Sequence, residues 1–141
     1  MEVFISHASA DRGLAEELTA ELEKAGIKTW NPYRSVMPGD NWALEVGKAL
    51  ETSQVMVVLL THNAQESPTV GQEVQYALTS GNYRGRVVPV LVNMPTFEAG
   101  REVPWVLLRF EAVHVEGYPP NFRPVVDHLQ KIARAEYNAT T

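Results

Sequence analysis

The residues best suited to chemistry are a glutamate on a helix and a group of hydroxyl, imidazole and guanidinium side chains that the sequence places in loops. The glutamate is Glu73, in the stretch Ser67-Pro68-Thr69-Val70-Gly71-Gln72-Glu73-Val74-Gln75-Tyr76-Ala77-Leu78, which reads as a loop running into a helix. At about 100° per residue, Val70, Val74, Ala77 and Leu78 form one apolar stripe that must face a core. Glu73 lies at the border of that stripe, so its carboxylate emerges where the helix meets its neighbours, partly shielded from water. Most helical glutamates are solvated surface residues. Ser6, His7, Ala8 and Ser9 follow the first strand-like run, where hydroxyls and backbone N–H groups ahead of a helix cap it, approach a phosphate, or do both. His7 and His62 stand at the ends of two strand-like runs. Two histidines and Glu73 without a recognisable ligand spacing make no zinc signature, and no metal is expected.

These side chains need a scaffold, and the hydrophobic pattern supplies one. Val3 to Ser6 is a short apolar strand, and Leu14, Leu18, Leu22 and Ala25 repeat at helical spacing, with Ser9 or Asp11 as cap and Gly26 as terminator. Ile27 to Trp30 restores a strand, and a crossover helix of that length makes the two strands parallel. Asn31 to Gly39 reads as an irregular loop, because its prolines and glycine interrupt any ladder or helix. Asp40 is the expected cap of a second helix, whose stripe is Trp42, Val46, Ala49 and Leu50. Val55 to Leu60 is apolar at every position, as a central strand covered on both faces should be.

Glu73's helix follows and ends at Ser80-Gly81-Asn82. Arg86 to Val92 is a fourth strand, with Pro89 tolerable only where its missing N–H faces an edge or a bulge. Pro95, Gly100 and Pro104 argue against long elements before a short edge strand at Ala112 to Val115. Val125, Val126, Leu129, Ile132 and Ala133 mark a closing helix after Pro124. The alternation predicts an α/β, flavodoxin-like three-layer sandwich with a five-stranded parallel sheet in the order 2-1-3-4-5. Ligands in such sheets bind beyond the carboxyl ends of the strands, at the switch between the first and third. There the chain places the His7 loop, the loop from Pro32, and Thr61-His62-Asn63 leading towards Glu73.

Composition narrows the function. The 141 residues suit a single domain over 1–137, with 138–141 as a polar tail or the start of a linker. Seventeen acidic against twelve basic residues give a charge of -5 without a Lys/Arg cluster, which disfavours nucleic acid. The absence of cysteine excludes disulfides, thiolate zinc sites and thiol catalysis. No apolar run is long enough to span a bilayer, and no basic leader opens the chain. A cytoplasmic protein, or the first domain of a longer one, is the expectation.

In order and spacing, three motifs resemble those of Toll/interleukin-1 receptor (TIR) domains, particularly bacterial ones of the NADase type. Val3-Phe4-Ile5-Ser6-His7-Ala8-Ser9-Ala10-Asp11 is similar to the family's first motif, and Pro38-Gly39-Asp40-Asn41-Trp42 to its proline-glycine loop and following helix. Ser67 and Glu73 match the third motif, with Thr69 where the family usually has an aromatic. The resemblance implies cleavage of NAD at the nicotinamide-ribose bond, giving nicotinamide and ADP-ribose or a cyclic isomer, with Glu73 as the catalytic residue. NAD would be the substrate, and no cofactor is implied. Ser6, His7, Ala8, Tyr33, Arg34, Ser67 and Thr69 would line the substrate site, with Arg34 on the pyrophosphate or on a neighbouring subunit. Tyr33, Trp30 or Tyr76 would replace the missing aromatic wall. Trp30 and Trp42 otherwise read as core or loop anchors.

One carboxylate suffices for this chemistry, because nicotinamide leaves as a neutral molecule and needs no general acid. Desolvation raises the pKa of such a carboxylate, so donors such as Ser67 or backbone N–H groups would have to keep it ionised. The resemblance also implies partners: other TIR domains, joined through Pro32, Met37, Pro38 and Gly39 into an oligomer or filament in a defence or signalling pathway. A non-enzymatic TIR–TIR interaction module is the alternative. A nucleoside deoxyribosyltransferase-like enzyme shares the architecture. A response-regulator receiver lacks its acidic pair here, and a dinucleotide dehydrogenase its G-x-G-x-x-G.

Overall fold

The computed structural model describes residues 1–98 and 102–140. Five strands, β1 (Glu2–Ser6), β2 (Lys28–Trp30), β3 (Val55–Leu60), β4 (Val87–Val92) and β5 (Val113–Val115), form one sheet in the order β2-β1-β3-β4-β5. Every neighbouring pair is parallel. The helices are α1 (Arg12–Lys24), α2 (Pro32–Ser35), α3 (Trp42–Thr52), α4 (His62–Gln65), α5 (Pro68–Thr79) and α6 (Arg123–Thr140). Short 3-10 turns occupy Ser9–Asp11 and Trp105–Arg109. The expected tail at 138–141 begins within α6; Thr141, like Gly100, lies outside the described residues.

Strand alternation splits the core into two halves. Val3 and Ile5, Val55, Val57 and Leu59, and Val88, Val90 and Val92 meet Leu18 and Leu22 of α1 and Val125, Val126 and Leu129 of α6. Phe4, Met56, Val58, Leu60 and Leu91 face the other way, onto Ala49 of α3 and Val70, Val74 and Ala77 of α5. Both halves make β3 the buried spine of the domain, with all six of its residues buried.

Pro89 sits inside β4 without breaking the ladder. The Arg86 carbonyl accepts from the Met56 N–H, so alternate residues 86, 88 and 90 point at β3 and Pro89 points the other way. On that side β5 begins pairing only at Val90, and no donor is required at Pro89.

Three local expectations need correction. The segment after β2 is not wholly irregular: Pro32 opens a single helical turn and Asn31 Oδ1 caps it by accepting from the Tyr33 N–H at 3.1 Å. Asp40 does not cap α3; Asn41 does, accepting from the Leu44 N–H, while Asp40 accepts from the Met37 N–H at 2.8 Å. Neither Ser9 nor Asp11 caps α1 through its side chain. The Asp11 carboxylate is instead buried and accepts from Thr61 Oγ1 and Asn63 Nδ2, tying the end of β1 to the end of β3.

Candidate functional site

Beyond the carboxyl ends of β1 and β3, the chain encloses a cleft of about 760 Å³. One wall is the β1–α1 connection, His7 to Ala10, and another is α5 with the residues leading into it, Ser67, Thr69, Gln72, Glu73 and Tyr76. The third is made by Pro32 and Tyr33 of α2 with Trp42, Val46 and Gly47 of α3.

Glu73 is only 7% exposed. It is brought inwards because α5 packs its Val70, Val74 and Ala77 stripe on the sheet, and because β1 places Ser6 opposite. Phe4 and Ser6 point to the same face by strand alternation, and Ser6 Oγ donates to Glu73 Oε1 at 2.8 Å. The other carboxylate oxygen has no hydrogen-bond partner in the described structure and remains for an occupant of the cleft. Burial pushes the Glu73 carboxyl up to about 7, with the Ser6 hydrogen bond acting in the opposite direction. The donor that holds the charge is therefore Ser6. The Ser67 Oγ instead caps α5, accepting from the Val70 N–H at 3.3 Å, and the hydroxyl bonded to Glu73 is that of Ser6.

His7 is buried beside this pair. Its Nδ1 lies 2.9 Å from the Ala8 carbonyl, which can only accept, so Nδ1 carries the proton. Its Nε2 is buried without a partner. Tyr33 lies against His7 with ring centroids 5.5 Å apart and meets Trp42 edge-on at 5.4 Å. The guanidinium of Arg12 lies 4.5 Å from the Tyr33 ring centroid, within cation–π range.

Of the residues expected at the site, His7, Ala8, Tyr33, Ser67, Thr69 and Glu73 line the cleft, while Ser6 stands behind Glu73 as its donor. Arg34 does not line it. Its Nε donates to Glu16 at 2.8 Å and its Nη1 to Glu23 at 2.7 Å, both on α1. Trp42, expected as a core or loop anchor, is 46% exposed and outside the core; it meets Tyr33 and lines the cleft. Trp30 stacks on Phe4 at 5.3 Å and stays with the core, leaving Tyr33 and Tyr76 as the expected aromatic substitutes that reach the cleft. Among the interface-loop residues Pro32 is buried in the cleft wall, whereas Met37, Pro38 and Gly39 are exposed. Arg12 escaped the sequence reading; the only signal for it was its place one turn beyond the Ser6 to Ser9 loop.

The family model for TIR domains matches residues 3–117. The chain belongs to the TIR-domain family. The crystal structure of the TIR domain of the Toll-related receptor TRR-2 from Hydra magnipapillata is similar, with a TM-score of 0.62 and 26% identity over 79% of this chain and 82% of that one. No curated protein matches the sequence. TIR domains as a family serve signalling through contacts with other TIR domains, and the family includes both NAD-cleaving enzymes and non-enzymatic adaptors. No helix among the described residues of this TIR domain is long and apolar enough to cross a membrane.

Proposed function

We propose that this TIR domain is an NAD glycohydrolase, acting in a bacterial defence or signalling pathway when copies assemble. The reading rests on one observation: a buried glutamate, anchored through one oxygen by Ser6, with its other oxygen free at the wall of a cleft large enough for a dinucleotide. In the reaction the bond between ribose C1′ and the quaternary nicotinamide nitrogen breaks, and its electron pair neutralises the nitrogen. The ribosyl group becomes an oxocarbenium-like cation, which the Glu73 carboxylate stabilises. Water then bonds to C1′ and loses a proton to give ADP-ribose, or a nucleophile of the adenylate end closes a ring. The positive nicotinamide ring favours the ionised carboxylate, so substrate binding offsets part of the burial that raises its pKa.

The test is nicotinamide release from NAD by concentrated protein. Wild type is expected to release it, and Glu73→Ala to lose at least about a hundredfold. Equal release by both would remove Glu73 from the mechanism. Thr69, standing where an aromatic would wall the cleft, favours a second reading, a non-enzymatic assembly module; it predicts oligomers that leave NAD intact.

A further inference from the structure

We infer that Arg12 binds the diphosphate of a dinucleotide in this cleft and makes the site selective for phosphate-bearing ligands over bare nucleosides. The inference rests on the dinucleotide reading above and adds a residue that does not touch the cleaved bond. The carboxylates lining the cleft are Glu66 and Glu73, in a protein whose net charge is -5. A diphosphate entering such a space meets like charge unless a cation stands at its edge. Arg34 is committed to Glu16 and Glu23, and Lys48, next to the cleft residue Gly47, to Glu45 at 3.5 Å.

Arg12 is the exception. Its interaction in the described structure is with the face of Tyr33, and no carboxylate pairs with it. Tyr33 lines the cleft, as do Ser9 and Ala10 just before Arg12 in sequence. Asp11 does not compete for the guanidinium through ion pairing, since its oxygens accept from Thr61 and Asn63. The same connection runs from Ser6, which holds Glu73, through the cleft residues His7 to Ala10 to Arg12, so the carboxylate and the guanidinium stand at its two ends. His7, between them, lines the cleft with Nε2 buried and unpartnered, a polar atom for which the protein supplies no hydrogen-bond partner.

ADP-ribose and adenosine, titrated calorimetrically into wild type and Arg12→Gln at low and high salt, separate the possibilities without any turnover. The substitution is expected to weaken ADP-ribose about tenfold, to flatten its salt dependence, and to leave adenosine unchanged. Arg12→Lys should restore part of the loss. Unchanged ADP-ribose affinity in Arg12→Gln would overturn the inference, as would an equal loss for adenosine, which would mean that Arg12 merely props Tyr33. So would absence of ADP-ribose binding by wild type. If ADP-ribose binds as expected while NAD stays intact, the glycohydrolase reading falls and the role of Arg12 stands.

Discussion

Along β1, Val3 and Ile5 meet the leucines and valines of α1 and α6, while Phe4 and Ser6, one residue out of phase, meet α5 and end on a carboxylate. The first face is closed by two long helices with apolar stripes, and its buried Thr19 hydroxyl is satisfied by the Ala15 carbonyl. The second is covered by α3 and α5, and α3 sits loosely: Ala49 is its fully buried residue, whereas Trp42 and Leu44 are half exposed. Room for the cleft comes from that looseness. The closed face supplies the burial that holds the sheet together, and the open face can then carry a desolvated carboxylate and a partly exposed aromatic wall.

Damage on the two faces should therefore have different consequences. Leu129→Ala on the closed face should cost about 3 kcal/mol in denaturant unfolding, yet leave nicotinamide release per folded molecule unchanged. Loss of activity in the folded fraction would break the separation. On the open face, Glu73→Gln should act the other way. Its folded-state pKa of about 7 lies above the ordinary glutamate value of 4.5. The native state therefore keeps a proton that the unfolded chain has lost, and stability falls as pH rises through that window. The neutral amide is expected to recover about 2 kcal/mol at pH 8 and almost nothing at pH 4, read from unfolding at the two pH values.

A smaller effect is expected from Ser6→Ala. With its donor gone, Glu73 should ionise only at higher pH, so the rise of kcat/KM, expected near pH 7 in wild type, should move upward with about tenfold loss at neutral pH. An unmoved profile would assign that rise to another group. Least of all, Thr69→Trp should add stacking area to the cleft and lower KM for NAD by about threefold. No change would show that Tyr33 and Tyr76 already complete the wall.

Much of the frame was legible because it follows from pattern. The unbroken apolar run of β3 and the period of α5 gave the sheet centre and the inward lean of Glu73. The sequence pointed to Ser67 as the donor and missed Ser6: Phe4 and Ser6 share a parity, but that signal needs the position of α5 before it means anything. The pairing of Arg34 was written as Glu16 and Glu23, seven residues and two helical turns apart on α1, a spacing that matters only once α2 is known to fold back over it. Asp11 reads locally as a cap and acts distantly, because Thr61 and Asn63 offer it a buried alternative that no local propensity encodes.

Gly71 sets a limit on how far α5 can shift. A Cβ there would overlap the carbonyl oxygen of Glu102, so the helix rests backbone against backbone on that segment. Two residues on, about 200° around the helix, Glu73 points the other way, at Ser6. The helix is thus a shim of fixed thickness between a backstop and the reacting group. Side chains lining the cleft can drift without altering the depth to which Glu73 reaches, whereas a single methyl group on the hidden side of the helix would reset it.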